Sequence, residues 1–297
     1  MHDFKPIAKA ESVTVYCPLD GKYAFYNSPY PAHRLSTGLD IYSSNGFGEV
    51  APSPVNGEVI EVRRVKAPKS RFFHDPGYDV VTVVDVEGDP DTVVKLLHVE
   101  PQLRPGDRLE VGDDLGVLLH SGYYGFSTSP HIHLEVRRSS DPLRVRGGIH
   151  LNRVLEAKPE KMLDRLRGRV VHSDGLRSFI ELCDLVGHGV PGDVGGVPGY
   201  LDGGIPFYGW LGAHYEERPG GDTIKLAGEI IADIVYKGER YCVADCTDFK
   251  ITMGDTTVGF FAYLHPGHGP QIMLTGRRPG EISLKDGECV ELEIKPD

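Results

Sequence analysis

The sequence contains no long apolar run and no obvious export signal. None of its 297 residues lies in a stretch apolar enough to span a membrane. The N-terminal segment, MHDFKPIAKAESVTVYCPLD, also lacks the apolar core of a signal peptide. We therefore expect a cytoplasmic protein without a membrane partner.

Basic residues are too few and too dispersed for a broad anion-binding surface. The chain has 32 Lys and Arg against 43 Asp and Glu, a formal net charge of −11, and no block of Lys or Arg. A surface for nucleic acid or an anionic membrane needs clustered positive charge. The composition predicts no nucleic-acid partner.

Paired cysteines are also missing. The five cysteines are scattered and form no Cys-x-x-Cys motif; they are Cys17, Cys183, Cys242, Cys246 and Cys289. This excludes a disulfide scaffold or a structural zinc site of paired cysteines, and it favours reduced thiols.

Glycine and proline are abundant, with 37 and 22 residues, and they recur every several residues. Such punctuation favours short strands joined by turns. The length suggests two domains, and we predict a mainly β fold. Residues 1–150 would form a partly open antiparallel sheet, and residues 171–297 a second β-rich domain, either a sandwich or a small barrel. Between them, the segment LNRVLEAKPEKMLDRLRGR predicts a helical connector over residues 151–170.

Several strands can be placed in the first domain. The Asn56-Gly57 step between two β-rich runs predicts a hairpin. The β-branched run Asp79–Val86 predicts a strand, and Thr92–Val99 predicts another with His98 at its end.

The stretch Gly122–Arg137, GYYGFSTSPHIHLEVR, places two histidines one residue apart. Alternate side chains of a strand share a face, so His131 and His133 would lie about 6–7 Å apart. Leu134 and Val136 would face a core on the other side. This pair suits a metal ligand beside a general base, although two exposed strand histidines would give the same pattern.

Five sequence elements in a fixed order carry a resemblance to a known family. They are a Gly-Leu-Asp-Ile step at Gly38–Ile41, a Pro-Val-x-Gly-x-Val segment at Pro54–Val59, Leu97-His98, a Pro-Gly-Asp-x-Leu-x-Val-Gly-x-x-Leu-Gly run at Pro105–Gly116, and a Ser-x-Ser-Pro-His-x-His-Leu-Glu-Val-Arg signature at Ser127–Arg137. In these elements the chain resembles the lysostaphin-type, or LytM-like, zinc endopeptidases, which cut peptide cross-links in bacterial cell walls. The resemblance runs from about residue 30 to 140. It implies the LytM-like, duplicated-hybrid-like form of an antiparallel sheet.

The resemblance implies roles for individual residues. Asp40 and His133 match metal ligands for one Zn²⁺ per chain. His98 and His131 match the non-ligand histidines that orient and activate the attacking water and stabilise the tetrahedral intermediate. Glu135 matches no chemical role, but it shares a strand face with His133 and can hydrogen-bond a ligand. The implied substrate is a peptide, or a peptide of the cell-envelope type.

The first ligand departs from the family pattern. The family has His-x-x-x-Asp, which places a histidine at position 36, where this chain has Ser36. Either an enlarged turn lets His33 reach the metal, or the ligand is lost and the protein is a degenerate binding or regulatory module. We favour His33, because the other site residues remain, and therefore a zinc metallopeptidase. Phosphotransfer through a metal-free histidine pair is a minor alternative.

Two further pairs are secondary candidates. Tyr26 or Tyr30 can support an oxyanion, as a tyrosine before the first ligand does in the family, or can be a buried aromatic residue. His265 and His268 have a spacing that can bind metal, but without a third ligand a solvated turn is the simpler interpretation.

Overall fold

The computed structural model describes residues 3–43, 46–183, 187–267 and 269–296. The chain divides into two compact units, which we call the N-terminal unit (Met1–Phe25 and Tyr30–Leu155) and the C-terminal unit (Tyr26–Pro29 and Glu156–Asp297). About 50% of the residues lie in strands and 1% in helix, which confirms the mainly β class. Within the described ranges, no helix has the length and apolar character needed to cross a membrane.

Among the described residues of the N-terminal unit, the regular elements are strands except for one short helix. Its elements are β1 (Phe4–Ala10), β2 (Val13–Pro18), β3 (Lys22–Ala24), α1 (Pro31–Arg34), β4 (Leu39–Tyr42), β5 (Val50–Pro52), β6 (Gly57–Lys66), β7 (Tyr78–Asp85), β8 (Thr92–Leu97), β9 (Val99–Pro101), β10 (Arg108–Leu109), β11 (Asp114–Leu118), β12 (Ile132–Arg138) and β13 (Asn152–Arg153). Seven strands form one antiparallel sheet in the order β10-β6-β7-β8-β12-β4-β3. Two three-stranded sheets have the orders β13-β1-β2 and β5-β11-β9. The partly open antiparallel sheet is thus observed.

Strand β12, an interior strand of the seven-stranded sheet, is buried on both faces. Leu134 and Val136 have no exposed surface, as their predicted place in a core requires. The opposite face carries His133, Glu135 and Arg137, of which His133 is 4% exposed and the other two fully buried. Buried polar side chains need hydrogen-bonding partners, so this polar face must be matched by groups on neighbouring strands. The candidate site lies there.

The hairpin predicted at Asn56-Gly57 is wrong. Strand β5 pairs with β11, whereas β6 pairs with β7 and β10, so the two strands on either side of this step lie in different sheets. A Cβ on Gly57 would come within 2.2 Å of the Asp85 carbonyl oxygen. Glycine is therefore required here for the close approach of β7, and Asn56 accepts a hydrogen bond from the Val111 amide instead of forming a turn.

The C-terminal unit continues the β architecture. Its strands are β14 (Leu166–Ser173), β15 (Ser178–Leu182), β16 (Val190–Val194), β17 (Val197–Ile205), β18 (Trp210–Tyr215), β19 (Thr223–Leu226), β20 (Glu229–Lys237), β21 (Tyr241–Cys246), β22 (Phe249–Met253), β23 (Thr256–Ala262), β24 (Gln271–Thr275) and β25 (Cys289–Pro296). Strands β16-β19-β20-β21-β18-β17 pair in that order, and β17 pairs back with β16 to close a six-stranded barrel. Strands β23-β22-β25-β14-β15-β24 form a second closed ring through the β23–β24 pairing. Of the two predicted architectures, the barrel is the one observed.

The helical connector predicted for residues 151–170 is wrong. The chain forms β13, then irregular structure, then β14. Pro159 cannot donate a helical hydrogen bond, and its ring clashes with the preceding turn. Leu166, Gly168 and Val170 are buried and alternate with exposed residues, as in a strand. Strand β14 pairs with β15 on one side and with β25 on the other. Tertiary pairing overrides the helical propensity of this segment.

Candidate metal centre

Three buried side chains from distant parts of the N-terminal unit converge on one point. His33 comes from α1, Asp40 from β4 and His133 from β12, and the last two are direct partners in the β4–β12 ladder. His133 Nδ1 lies 2.9 Å from Asp40 Oδ1, His33 Nε2 lies 3.3 Å from the same oxygen, and the two nitrogens are 3.1 Å apart. Their ligand atoms lie within 4.8 Å of one another, close enough to hold one metal ion.

The hydrogen bonds behind the two histidines fix which ring nitrogens face this point. His33 Nδ1 lies 2.7 Å from the Phe25 carbonyl oxygen, which can only accept, so Nδ1 carries the proton and Nε2 the lone pair. His133 Nε2 lies 3.3 Å from Glu135 Oε1. Burial opposes ionisation of Glu135, but hydrogen bonds and charges from His133 and Lys95 lower its pKa to about 2. An ionised Glu135 requires a proton on His133 Nε2, which leaves the lone pair on Nδ1.

Three hydrogen-bond acceptors therefore meet without a hydrogen between them. Neighbouring acceptors of this kind are stable in a buried site only if a cation lies between them. In the metal-free chain a proton can serve: burial lowers the pKa of His133, but hydrogen bonds with Asp40 and Glu135 raise it to about 9. The site thus requires positive charge, supplied by a proton or by a metal ion.

The donor set fits zinc. Two imidazole nitrogens and one carboxylate oxygen are three protein ligands, the number typical of a catalytic zinc site. A carbonyl or carboxylate bound to the far ring nitrogen is the usual support of a metal-binding histidine, and His33 and His133 each have one.

The local fold explains why His33 reaches the site. After α1, the amides of Thr37 and Gly38 both donate to the Ala32 carbonyl oxygen, which closes the turn. Ser36 adopts a left-handed φ of 57°. Gly38 follows, and a Cβ at that position would come 3.0 Å from Cε1 of His133. This turn places His33 beside Asp40, as the enlarged-turn alternative requires.

His131 lies next to these three residues but is not one of the convergent donors. It precedes β12, its Nδ1 donates to the Ser129 carbonyl oxygen at 2.8 Å, and its Nε2 lies 3.6 Å from Asp40 Oδ1. Burial lowers the pKa of His131 to about 4, so the ring is neutral near pH 7 and Nε2 can accept a proton.

His98 completes the group of four histidines. It follows β8, and its ring centroid lies 5.2 Å from that of His131 and 6.1 Å from that of His133. Its Nδ1 lies 2.6 Å from Asp79 Oδ2. The structure therefore brings together all five residues that the sequence nominates, which are His33, Asp40, His98, His131 and His133.

Asp79, which contacts His98, is a residue of the candidate site that the sequence did not nominate. It is fully buried at the start of β7. Burial opposes its ionisation, but the charge of His98 and hydrogen bonds from His98, Ser121 and the Val80 amide lower its pKa. The available signal was a single acid at the head of the β-branched run DVVTVV, where a solvent-facing residue would be expected.

A buried charge network behind His133 was also missed, apart from the hydrogen bond anticipated for Glu135. Lys95 Nζ lies 2.8 Å from Glu135 Oε1, and Arg137 Nη1 lies 2.6 Å from Glu135 Oε2. Arg137 also donates to the carbonyl oxygens of Asp141 and Arg146. The signal was one Lys inside the apolar strand TVVKLL, across the ladder from Glu135.

The two tyrosines and two histidines named as secondary candidates have different surroundings. The ring centroid of Tyr30 lies 5.6 Å from that of His133, and burial raises the Tyr30 pKa to about 12. Tyr26 belongs to the C-terminal unit. His268 lies outside the described residues, and His265 Nε2 accepts a hydrogen bond from the Gln271 amide.

Residues 13–153, just under half of the chain, match the family model described as "Domain of unknown function (DUF8155) N-terminal domain". No curated protein matches the sequence. The solved structures that are similar include the NMR solution structure of lysostaphin, at 15% identity, 86% coverage of this chain, 88% coverage of that chain and a TM-score of 0.27. A TM-score of this size does not establish a shared fold.

Proposed function

We propose that the N-terminal unit is a zinc-dependent hydrolase of peptide bonds. The observation that carries the proposal is the meeting of three buried acceptor atoms, from His33, Asp40 and His133, that require a cation between them. Two further histidines next to this point, His98 and His131, are available for proton transfer. The motif resemblance to lysostaphin-type endopeptidases supports the same assignment.

His33, Asp40 and His133 would hold the metal. A zinc ion held there would supply a Lewis acid and would lower the pKa of a bound water to about 7. The neutral His131 can accept a proton at Nε2, since its Nδ1–H is committed to the Ser129 carbonyl oxygen. His98 can hold or deliver a second proton, for example to the leaving amine. The phenol of Tyr30 remains protonated near pH 7, because of its raised pKa, and can donate to a developing oxyanion.

The substrate we propose is a peptide, and cell-envelope-type peptides are the first to test. The absence of nucleic-acid and membrane partners and a cytoplasmic location remain predictions from the sequence.

Zinc content and hydrolysis of the purified chain test this function, with His131→Ala as the decisive variant. We expect about one zinc per chain in both proteins, because His131 is outside the three-ligand set. The variant should lose roughly 10²- to 10⁴-fold in kcat, the range for removal of a general base. Metal analysis by mass spectrometry and cleavage of a mixed peptide library provide the measurements.

The matched control is His74→Ala, which removes an exposed histidine of the same unit and should leave both readouts unchanged. A chain that takes up no zinc contradicts the proposal. Zinc binding without cleavage of any peptide favours the binding or regulatory module instead.

A further inference from the structure

Asp79 has a buried carboxylate whose hydrogen bonds centre on His98. We infer that Asp79 is a positioning residue that fixes the ring orientation and tautomer of His98, so that Nε2 is the nitrogen presented for proton transfer. This inference rests on the proposed function for its catalytic consequence, but the hydrogen-bond arrangement can be tested without it.

Both oxygens of the carboxylate are fully used. Oδ1 accepts from the Val80 amide at 2.7 Å and from the His98 amide at 3.1 Å. Oδ2 accepts from His98 Nδ1 and from Ser121 Oγ, each at 2.6 Å. An ionised carboxylate offers about four acceptor positions, and four donors occupy them. Two of the four donors belong to His98, so the carboxylate holds both its backbone and its ring.

The backbone of His98 requires such support. His98 has a φ of 71°, in the left-handed region that non-glycine residues rarely adopt because it strains the backbone. It separates β8 from β9, and its carbonyl oxygen accepts from the Leu119 amide at 2.8 Å. Asp79 Oδ1 on the other side binds the His98 amide. The two hydrogen bonds hold the residue in a conformation that takes its ring out of the β8 ladder.

The carboxylate also decides where the ring proton lies. An ionised Asp79 can only accept, so His98 Nδ1 carries the proton and Nε2 carries the lone pair of the neutral ring. When Nε2 takes a proton from water or substrate, the ring becomes an imidazolium, and Asp79 stabilises its charge without taking the proton. An aspartate has this role towards the histidine of serine proteases, where an asparagine in its place gives the wrong tautomer.

Asp79→Asn is the test variant, because the amide nitrogen cannot accept. With its oxygen towards the two backbone donors, the asparagine turns its NH₂ group towards His98 Nδ1. The ring then accepts at Nδ1, and its proton moves to Nε2, where it blocks proton uptake. We expect a fall in kcat of roughly 10²- to 10⁴-fold, with KM and zinc content little changed.

The direct readout is the tautomer of His98, measured by nitrogen-15 NMR on histidine-labelled protein and assigned with His98→Gln. We expect the proton on Nδ1 in the wild type and on Nε2 in Asp79→Asn. Asp85→Asn, at the opposite end of the same strand, is the matched control and should retain the wild-type tautomer and kcat. If Asp79 had a merely structural role, Asp79→Asn would lower the unfolding temperature and leave the His98 ring proton on Nδ1.

The outcomes separate this inference from the proposed function. If the wild type cleaves no peptide, the proposed function fails. The inference about Asp79 is then tested by the tautomer of His98 alone. A His98 proton that remains on Nδ1 in Asp79→Asn overturns the inference, as does a wild-type kcat in that variant. If Asp79→Asn does not fold, the wild-type spectrum decides: a proton on Nδ1 supports the inference and a proton on Nε2 overturns it.

Discussion

Replacing His33 with alanine is expected to abolish stable zinc binding, whereas replacing Ser36 with alanine is expected to leave it intact. His33 Nε2 is one of three convergent donor atoms, 3.3 Å from Asp40 Oδ1. Loss of a hydrogen-bond partner behind a metal ligand already costs roughly 10- to 100-fold in affinity, so loss of the ligand itself should cost more than about 100-fold. Competition with a zinc-binding dye measures the affinity of each protein.

Ser36→Ala is the matched control, because it separates the two positions at which the first ligand could lie. Alanine keeps the same backbone demand at φ 57° and retains the carbonyl oxygen that accepts from the Leu151 amide. Only the hydroxyl is lost. If Ser36→Ala loses as much zinc as His33→Ala, the assignment of His33 as ligand is wrong.

Replacing Arg137 with alanine is expected to lower the free energy of unfolding of the N-terminal unit by about 3–5 kcal/mol. That is the range for removing one member of a buried ion pair, because the remaining charge is left without its partner. Arg137 is fully buried, and its guanidinium reaches Glu135 and the carbonyl oxygens of Asp141 and Arg146. Glu135 would keep Lys95 and His133 as partners of Oε1, but Oε2 would lose the Arg137 guanidinium. Scanning calorimetry of the full chain should show the loss as a lower transition temperature.

The neighbouring residue provides the control. Arg138 lies next in β12, but its side chain is 52% exposed and pairs with an exposed Glu11 at 2.8 Å. Surface pairs of this kind contribute about 0–1 kcal/mol, so Arg138→Ala should unfold close to the wild type. Equal effects of the two alanine variants would show that the buried network does not stabilise β12.

The sequence predicted the strand-rich class correctly, and it nominated site residues that the structure brings close together. Turn residues and β-branched runs report backbone preference over a few residues, which is why β7 and β8 were placed within a residue or two. The same local information failed at Asn56-Gly57, where the glycine serves a close approach to Asp85 in another strand. It failed again at residues 151–170, where pairing with β15 and β25 extends a segment of helical composition.

The sequence by itself nominated Asp40, His98, His131 and His133, which stand in recognisable local patterns. Tertiary structure decided which groups surround these residues, because His33 and Asp79 come from positions remote in the chain from the histidines that they contact. His33 is 100 residues from His133, and Asp79 is 19 residues from His98. Their roles depend on which strands pair and on which ring nitrogen meets an acceptor. The six-stranded barrel of the C-terminal unit also depends on tertiary structure. It closes because β16 and β17, the two ends of the strand order, pair with each other.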